Sequence, residues 1–384
     1  MHRMIPVVSF LVMACFYLSS ISLYAGGTGE PGTGDADTVM VTDSLGRTVE
    51  IPENPLHVIC SGAGCLRLLV YLQAHDRVTA VDDMEKSRPK FEARPYALAN
   101  PRLEEYPLFG EFRGHDNPEL ILGLDPQPDI IFKTFAQMGF NPDELQAKTG
   151  IPVVVLEYGD LAGSREKLYG SLRLMGRIMH KDERAEELIN FFDDVINDLD
   201  ARTSGLREED KASCYIGGIA FKGPLGLQST EPAYPPFLFT NAKNVARDYG
   251  RDPDGQLAHA DIAKEKIVEW DPEYILIDLS TVQSGEAAGA LYELRNDAVY
   301  RTLTAVRQGR VFGVLPYNWY TQNFGSILAD AYFIGKVLYP DRFADIVPEE
   351  KADEIYTFLV GGPVFDRMNG LFQNLVFKKL SLED

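Results

Sequence analysis

The sequence predicts an α/β protein of two lobes, each with a central, mostly parallel sheet, joined by one long rigid helix. Three observations carry this expectation. First, one pattern occurs twice: Glu119-Leu-Ile-Leu-Gly-Leu-Asp-Pro126 runs into Gln-Pro-Asp-Ile-Ile-Phe132, and Glu265-Lys-Ile-Val-Glu-Trp-Asp-Pro272 runs into Glu-Tyr-Ile-Leu-Ile-Asp278. Each copy sets a Glu, apolar residues at the third, fourth and sixth positions, then Asp-Pro. Proline lacks a backbone donor and its ring clashes with the preceding turn, so each copy reads as a short amphipathic helix feeding a buried strand. Second, Leu56-His-Val-Ile-Cys60, the turn Ser61-Gly-Ala-Gly64, a helix with Leu66, Leu69, Val70 and Leu72, and Arg77-Val-Thr-Ala-Val81 form a β-turn-α-β unit, the building block of parallel sheets. Third, helical periodicity separates the two halves where a Gly/Ser linker would otherwise stand.

In chain order, the net charge of −20 over 384 residues argues against nucleic acid, which wants a basic face. Met1-His-Arg-Met is followed by an apolar run from Ile5 to Tyr24, small residues at Ala25-Gly-Gly and a Gly/Thr/Asp-rich spacer. This is the layout of a secretory signal peptide over 1–25 with a flexible linker over 26–38. Ile5–Tyr24 is about long enough to span a bilayer, so an uncleaved anchor is the alternative to cleavage, and cleavage near Ala25 is preferred over lipidation at Cys15 because the apolar run continues past that cysteine. The remaining Cys60, Cys65 and Cys214 do not make a disulfide scaffold. Cys60 and Cys65 either bridge or are small buried hydrophobes.

The first lobe is assigned to 39–162. Val39–Pro55 reads as a strand pair turning at Asp43-Ser-Leu-Gly46, and Asp82–Glu105 as helical excursions. Gly110–Asn117 reads as a loop, and Ile130-Ile-Phe132 and Val153-Val-Val-Leu156 as strands. A helical connector follows over 163–203. Leu168, Leu172, Met175 and Ile178 or Met179 share one face, then Ala185, Leu188, Ile189, Phe192, Val195, Ile196 and Leu199 repeat at helical spacing. The second lobe, 204–384, offers strands at Cys214–Ile219, Tyr274–Asp278 and Arg310–Leu315. It also offers a loop over Gly223–Pro236, a helix over Phe237–Tyr249 and closing helices over Ile327–Leu338 and Pro348–Phe365.

Taken together, the chain resembles the iron-siderophore, haem and cobalamin binding proteins of ABC importers. The likeness is carried by Asp43-Ser-Leu-Gly-Arg-Thr-Val-Glu-Ile-Pro52, Pro55-Leu-His-Val-Ile59, Gly110 leading to Asn117-Pro-Glu119, Pro126-Gln-Pro-Asp-Ile-Ile131 and Val306-Arg-Gln-Gly-Arg-Val311, in the family's order. The resemblance implies two Rossmann-like lobes on a backbone helix, an extracytoplasmic location, and a monomer that serves a permease dimer with its ATPase subunits. It further implies that Glu119 and Glu265, one per lobe, dock on that permease. A rigid two-point electrostatic clasp agrees with the physics, although a Glu also simply favours a helix N-terminus.

A ligand in such a protein sits between the lobes, at loops following the C-terminal ends of the strands. Those loops offer Arg113, His115, Phe135, Lys222, Tyr234, Tyr317, Trp319 and Tyr320. Cations would hold an anionic chelate and aromatics would pack a macrocycle or catechol ring. Tyr317-Asn-Trp-Tyr320 stands out, since three exposed aromatics in a Pro-led turn are costly without a partner. The expected cargo is an iron complex, with haem or a corrinoid as alternatives, and no resident cofactor or metal. A helical strut implies small closing motions.

Other signals are weaker. Gly62-Ala-Gly64 lacks the third glycine of a dinucleotide loop, and Asp252-Pro-Asp-Gly255 lacks the terminal Glu of a calcium loop. His57 and His75 near Cys60 and Cys65 do not make a convincing metal site, and no nucleophile elbow occurs. An extracytoplasmic enzyme on the same scaffold would need a cluster of perturbed ionisable groups, so a non-catalytic binding protein is the preferred class.

Overall fold

The computed structural model describes residues 37–87, 89–249 and 259–382. The expected signal peptide, nearly all of the linker and Asp252–Gly255 lie outside them. The first element is a hairpin, Thr38–Thr42 against Thr48–Pro52. Its turn is fixed by the buried Asp43 carboxylate, which accepts from the N–H groups of Leu45 (3.0 Å), Arg47 (3.0 Å) and Val155 (3.1 Å) and from Arg47 Nη2 (2.6 Å). One carboxylate thus closes the turn and moors the hairpin to the first sheet.

That sheet runs Val58–Ser61, Ile130–Thr134, Val153–Leu156, all parallel, with Ile130–Thr134 in the middle. The strands are buried on both faces, which is why they read as unbroken apolar runs rather than as alternation. A bridge from Val58 to Val78 joins on a smaller sheet of Val81–Asp82, Leu108–Glu111 and His115–Asp116. The second sheet orders Lys243–Asn244, Ser213–Gly217, Tyr274–Asp278 and Val311–Val314, again all parallel. The C-terminal tail covers its outer edge, with Phe377 N–H on Gly313 O (2.9 Å) and Leu380 N–H on Val311 O (2.8 Å). The repeated motif is real in three dimensions. Helix Pro118–Leu122 precedes the central strand of the first sheet, and helix Lys264–Trp270 precedes an inner strand of the second.

Between the sheets runs the 22-residue backbone helix Asp182–Thr203, about 33 Å long at the α-helical rise. Its seven periodic apolar residues are all buried. Phe192 is the wedge: its ring lies 6.4 Å from Tyr71 of the first lobe and 6.0 Å from Phe324 of the second. Polar ties bind both ends, with Arg184 Nε on Tyr71 O (3.0 Å) and Arg202 Nη1 on Asp345 (2.7 Å). One continuous apolar core therefore runs from the first sheet through this helix into the second. The buried helix Phe324–Leu338 and the helices Pro348–Val360 and Phe365–Leu371 complete it. The last of these returns to the first lobe, where Arg367 donates to Leu98 O (2.9 Å) and Phe372 lies 5.9 Å from Phe91.

Three expectations need correction. Gly110–Asn117 is not a loop: Leu108–Glu111 and His115–Asp116 pair around a tight turn at Phe112–Gly114. The helix expected over Phe237–Tyr249 is only Pro235–Phe239, because Asn241 at φ 50° breaks it and Lys243–Asn244 pairs with the sheet. The strand expected from Arg77 starts as a 3-10 turn over His75–Arg77 and extends only from Val78.

Removing the Phe192 ring leaves a cavity that three elements would have to collapse to fill. Phe192→Ala is expected to cost about 3–5 kcal/mol, seen as a lower urea midpoint with an unchanged slope in circular dichroism.

Candidate ligand cleft

The C-terminal ends of the first-lobe strands lead into Gly62–Gly64, Phe135 and Glu157–Tyr158, and strand Val311–Val314 of the second lobe leads into 315–323. The key side chain here is Arg67, fully buried in the apolar helix Cys65–Tyr71. It reaches across to the second lobe, donating to the carbonyls of Gln322 (2.7 Å), Trp319 (3.2 Å) and Tyr320 (3.2 Å), and to the Tyr158 hydroxyl. The ring of Tyr96 sits 5.1 Å from its guanidinium carbon. A buried cation is expensive unless its donors find acceptors. Here carbonyl oxygens from the opposite lobe and the Tyr158 hydroxyl take the Nη groups, leaving Nε without a partner among the described residues. Tyr158 adds its own bond to Gln322 O at 2.6 Å and stacks on Phe324 at 5.1 Å. Gly64 has room for no side chain, since a Cβ there would stand 2.3 Å from Tyr158 and 2.6 Å from Thr321.

Tyr320 completes the join. Its hydroxyl donates to Asp82 and accepts the Arg113 N–H at 3.2 Å, so the residue is plugged into the first lobe rather than displayed to solvent. The Arg113 turn is itself braced. Buried Lys133 donates to Asp116 (2.7 Å) and Gly114 O (3.2 Å), and Phe140 N–H to Gly114 O (3.0 Å). The neighbouring loop crosses so closely that a Cβ on Gly139 would lie 1.8 Å from Gly114 O.

The expected ligand residues therefore divide. Arg113 is exposed, Lys222 is exposed, and Phe135, Trp319 and Tyr320 are half-buried. Arg113, Phe135, Lys222 and Tyr320 all hold left-handed backbone, at φ 59°, 51°, 57° and 50°. Such conformations cost a non-glycine residue about 1–2 kcal/mol and cluster at ligand clamps and switch regions. Phe135 stacks on Tyr158 at 6.0 Å and lines a depression of about 250 Å³ at the first-lobe strand ends. Tyr234 and Tyr317 depart from expectation: both are buried, 5.8 Å apart, and Tyr317 donates to the buried Glu231 carboxyl. They support the 317–323 segment from behind, so that turn does not expose three aromatics after all. His115 is exposed on its strand, and Cys60, Cys65 and Cys214 are buried free thiols. Glu119 and Glu265 are exposed in the first turns of their helices.

Arg67, Tyr158, Asp82 and Glu231 escaped the sequence reading. Only Arg67 left a trace there, as a lone cation inside Cys65-Leu-Arg-Leu-Leu-Val-Tyr71. Burial pushes the Asp82 carboxyl up to about 7, with the negative charge of Glu85 adding to it. Burial likewise lifts Glu231 to about 8, against the opposing bond from Tyr317, and Asp278 to about 7.

Two α/β lobes meet at strand C-terminal loops, an architecture that hosts ligand sites, and sequence comparison gives the family. Residues 58–316 match the model of the periplasmic binding protein family, and the chain belongs to that family, the substrate-binding proteins of ABC importers. Its members are binding proteins rather than enzymes, with an extracytoplasmic site of action. Similar solved structures include a periplasmic solute binding protein from Veillonella parvula (18% identity, TM-score 0.66, covering 89% of this chain and 98% of that one). The molybdate periplasmic binding protein MolA of Haemophilus influenzae is 19% identical, with a TM-score of 0.63 over 85% of this chain and 98% of its own. The petrobactin-binding protein YclQ of Bacillus subtilis is 16% identical, with a TM-score of 0.53 over 80% and 99%. At such identities the likeness is one of fold. No curated protein matches the sequence.

The raised carboxyls set a pH dependence. Each is favoured neutral in the fold, so its stabilising contribution is complete below its ordinary value, 3.8 for Asp82 and Asp278 and 4.5 for Glu231, and is lost as pH rises through about 7 to 8. The thermal midpoint is expected to fall between about pH 5 and pH 8. Glu231→Gln, neutral throughout and still an acceptor for Tyr317, should flatten that fall; an unchanged slope would refute the assignment.

Proposed function

We propose that the protein captures an iron complex of the siderophore type against the 315–323 segment, between the lobes. Acting as a monomer, it delivers the complex to an ABC permease dimer powered by its ATPase subunits. The observation that carries this reading is the convergence of strained, polar or aromatic loop residues on that segment. Arg113 bonds Tyr320, Phe135 stacks on the Tyr158 that holds Gln322, and Ala220, two residues before Lys222, accepts from Asn318 at 3.4 Å. Cations at the rim repel a bare metal ion and attract the anionic envelope of a chelate, and Trp319 supplies an apolar face beside them.

For docking, the reading assigns Glu119 and Glu265 as the two contact points. Glu119 edges a depression of about 770 Å³ lined by Leu108, Leu120, Leu122 and Phe140, of which the three leucines are exposed. A carboxylate beside exposed leucines, in a depression that also holds Glu111, His115 and Lys148, suits an arginine-bearing partner, whose stem would cover the leucines.

Two measurements test the reading. Trp270 and Trp319 are the only tryptophans, and Trp270 packs near Tyr215 at 6.5 Å, in the separate core cluster of the second lobe. Titration with ferric siderophores, haem and cobalamin should give saturable quenching with an iron siderophore, abolished in Trp319→Phe; silence with all three sinks the proposal. Separately, Glu119→Ala and Glu265→Ala should each weaken ligand-stimulated ATPase activity of the reconstituted permease about tenfold, with solute affinity unchanged.

A further inference from the structure

Two similar triplets stand beside the 318–320 segment. Phe112-Arg113-Gly114 forms the first-lobe hairpin turn, and Phe221-Lys222-Gly223 lies in the loop that leaves strand Ser213–Gly217 of the second lobe. In both, the cationic residue is left-handed, at φ 59° and 57°, and so is the glycine after it, at 76° and 141°. In both, the phenylalanine is solvent-exposed, 36% and 46%, where an apolar ring would ordinarily be hidden. In both, the cation lies over the ring of its own neighbour, 5.2 Å for Arg113 on Phe112 and 5.4 Å for Lys222 on Phe221. Neither cation pairs with a carboxylate among the described residues, in a chain where acidic residues outnumber basic ones 57 to 37. Each triplet leans on the same few residues, the first through Arg113 N–H to Tyr320 and the second through Asn318 to Ala220 O.

Two independent loops that spend backbone strain on the same arrangement point to one purpose. The Arg113 guanidinium over its ring presents its N–H edge outward, and the Lys222 ammonium over its ring keeps donors free on the side away from it, so both leave N–H groups for an oxyanion. In a chain of net charge −20, two cations without carboxylate partners among the described residues, beside the 318–320 segment, supply local attraction for an anion. We infer that the solute is a polyanion with at least two separated anionic groups, one gripped by Phe112–Arg113 and the other by Phe221–Lys222. Its class is thus a catecholate- or carboxylate-type chelate and not a neutral or cationic hydroxamate. This inference rests on the chelate reading above and narrows it.

Calorimetric titration with ferric enterobactin, a trianionic tris-catecholate, ferric citrate and cationic ferrioxamine B tests it. Asparagine tolerates left-handed backbone, so Arg113→Asn and Lys222→Asn remove charge without forcing the turns. One of the anionic complexes should bind at least about a hundredfold more tightly than ferrioxamine B, each variant should weaken it about tenfold, and the double variant about a hundredfold, as separate sites add. Raising salt should weaken the same complex. Equal or tighter binding of ferrioxamine B, or variants within twofold of the parent, would overturn the polyanion assignment and leave the chelate reading standing. Absence of binding by all three would overturn both.

Discussion

The buried guanidinium of Arg67 is the constraint on which the cleft depends. Its Nη groups are spent on three carbonyls of the opposite lobe and one phenol, an arrangement that exists only while the two lobes hold their present spacing. Desolvating such a group costs several kcal/mol, and the acceptors around both Nη groups offset that cost. Arg67 therefore dictates where the 319–322 backbone lies, and that backbone dictates where Tyr320 meets Asp82 and how the Arg113 turn is supported. Tyr317 and Glu231 hold the same segment from the other side. The residues facing a solute are the ones left over after this scaffold has been satisfied.

Much of the architecture was legible in the sequence because its signals are local. Asp-Pro stops, the duplicated Glu motif and the heptad-like run of the backbone helix each depend on a few adjacent residues, and each appears where expected. The turn at Asp43 was legible for the same reason. What failed was decided at long range. Lys243–Asn244 becomes a strand because Ser213–Cys214 offers an open edge, and Leu108–Glu111 pairs with His115–Asp116 over a three-residue turn that no apolar alternation announces. At the candidate cleft the sequence singled out the 317–320 segment but not the direction of its side chains. Tyr317 and Trp319 differ by two positions, yet one is core and the other rim, because the buried Glu231 claims the first. Burial in an irregular loop has no period, so no pattern could have separated them.

The backbone helix and the C-terminal tail set how far the lobes can move. Phe192 is packed against rings from both sides, and the chain crosses between lobes a second time to place Arg367 on Leu98 and Phe372 beside Phe91. Cores packed this densely do not deform continuously. Such packing opposes a wide hinge opening about the back of the molecule.

That double crossing also bears on how cargo leaves. A hinged receptor can release its solute by drifting open, so its hold and its rate of surrender are tied together. A molecule stitched at the back by a helix and by its own tail has no such exit of its own. If the proposed docking at Glu119 and Glu265 holds, dissociation is driven by leverage applied at those two lobe tips. Under that docking, capture and surrender become separate properties, the first fixed by this chain and the second by its partner.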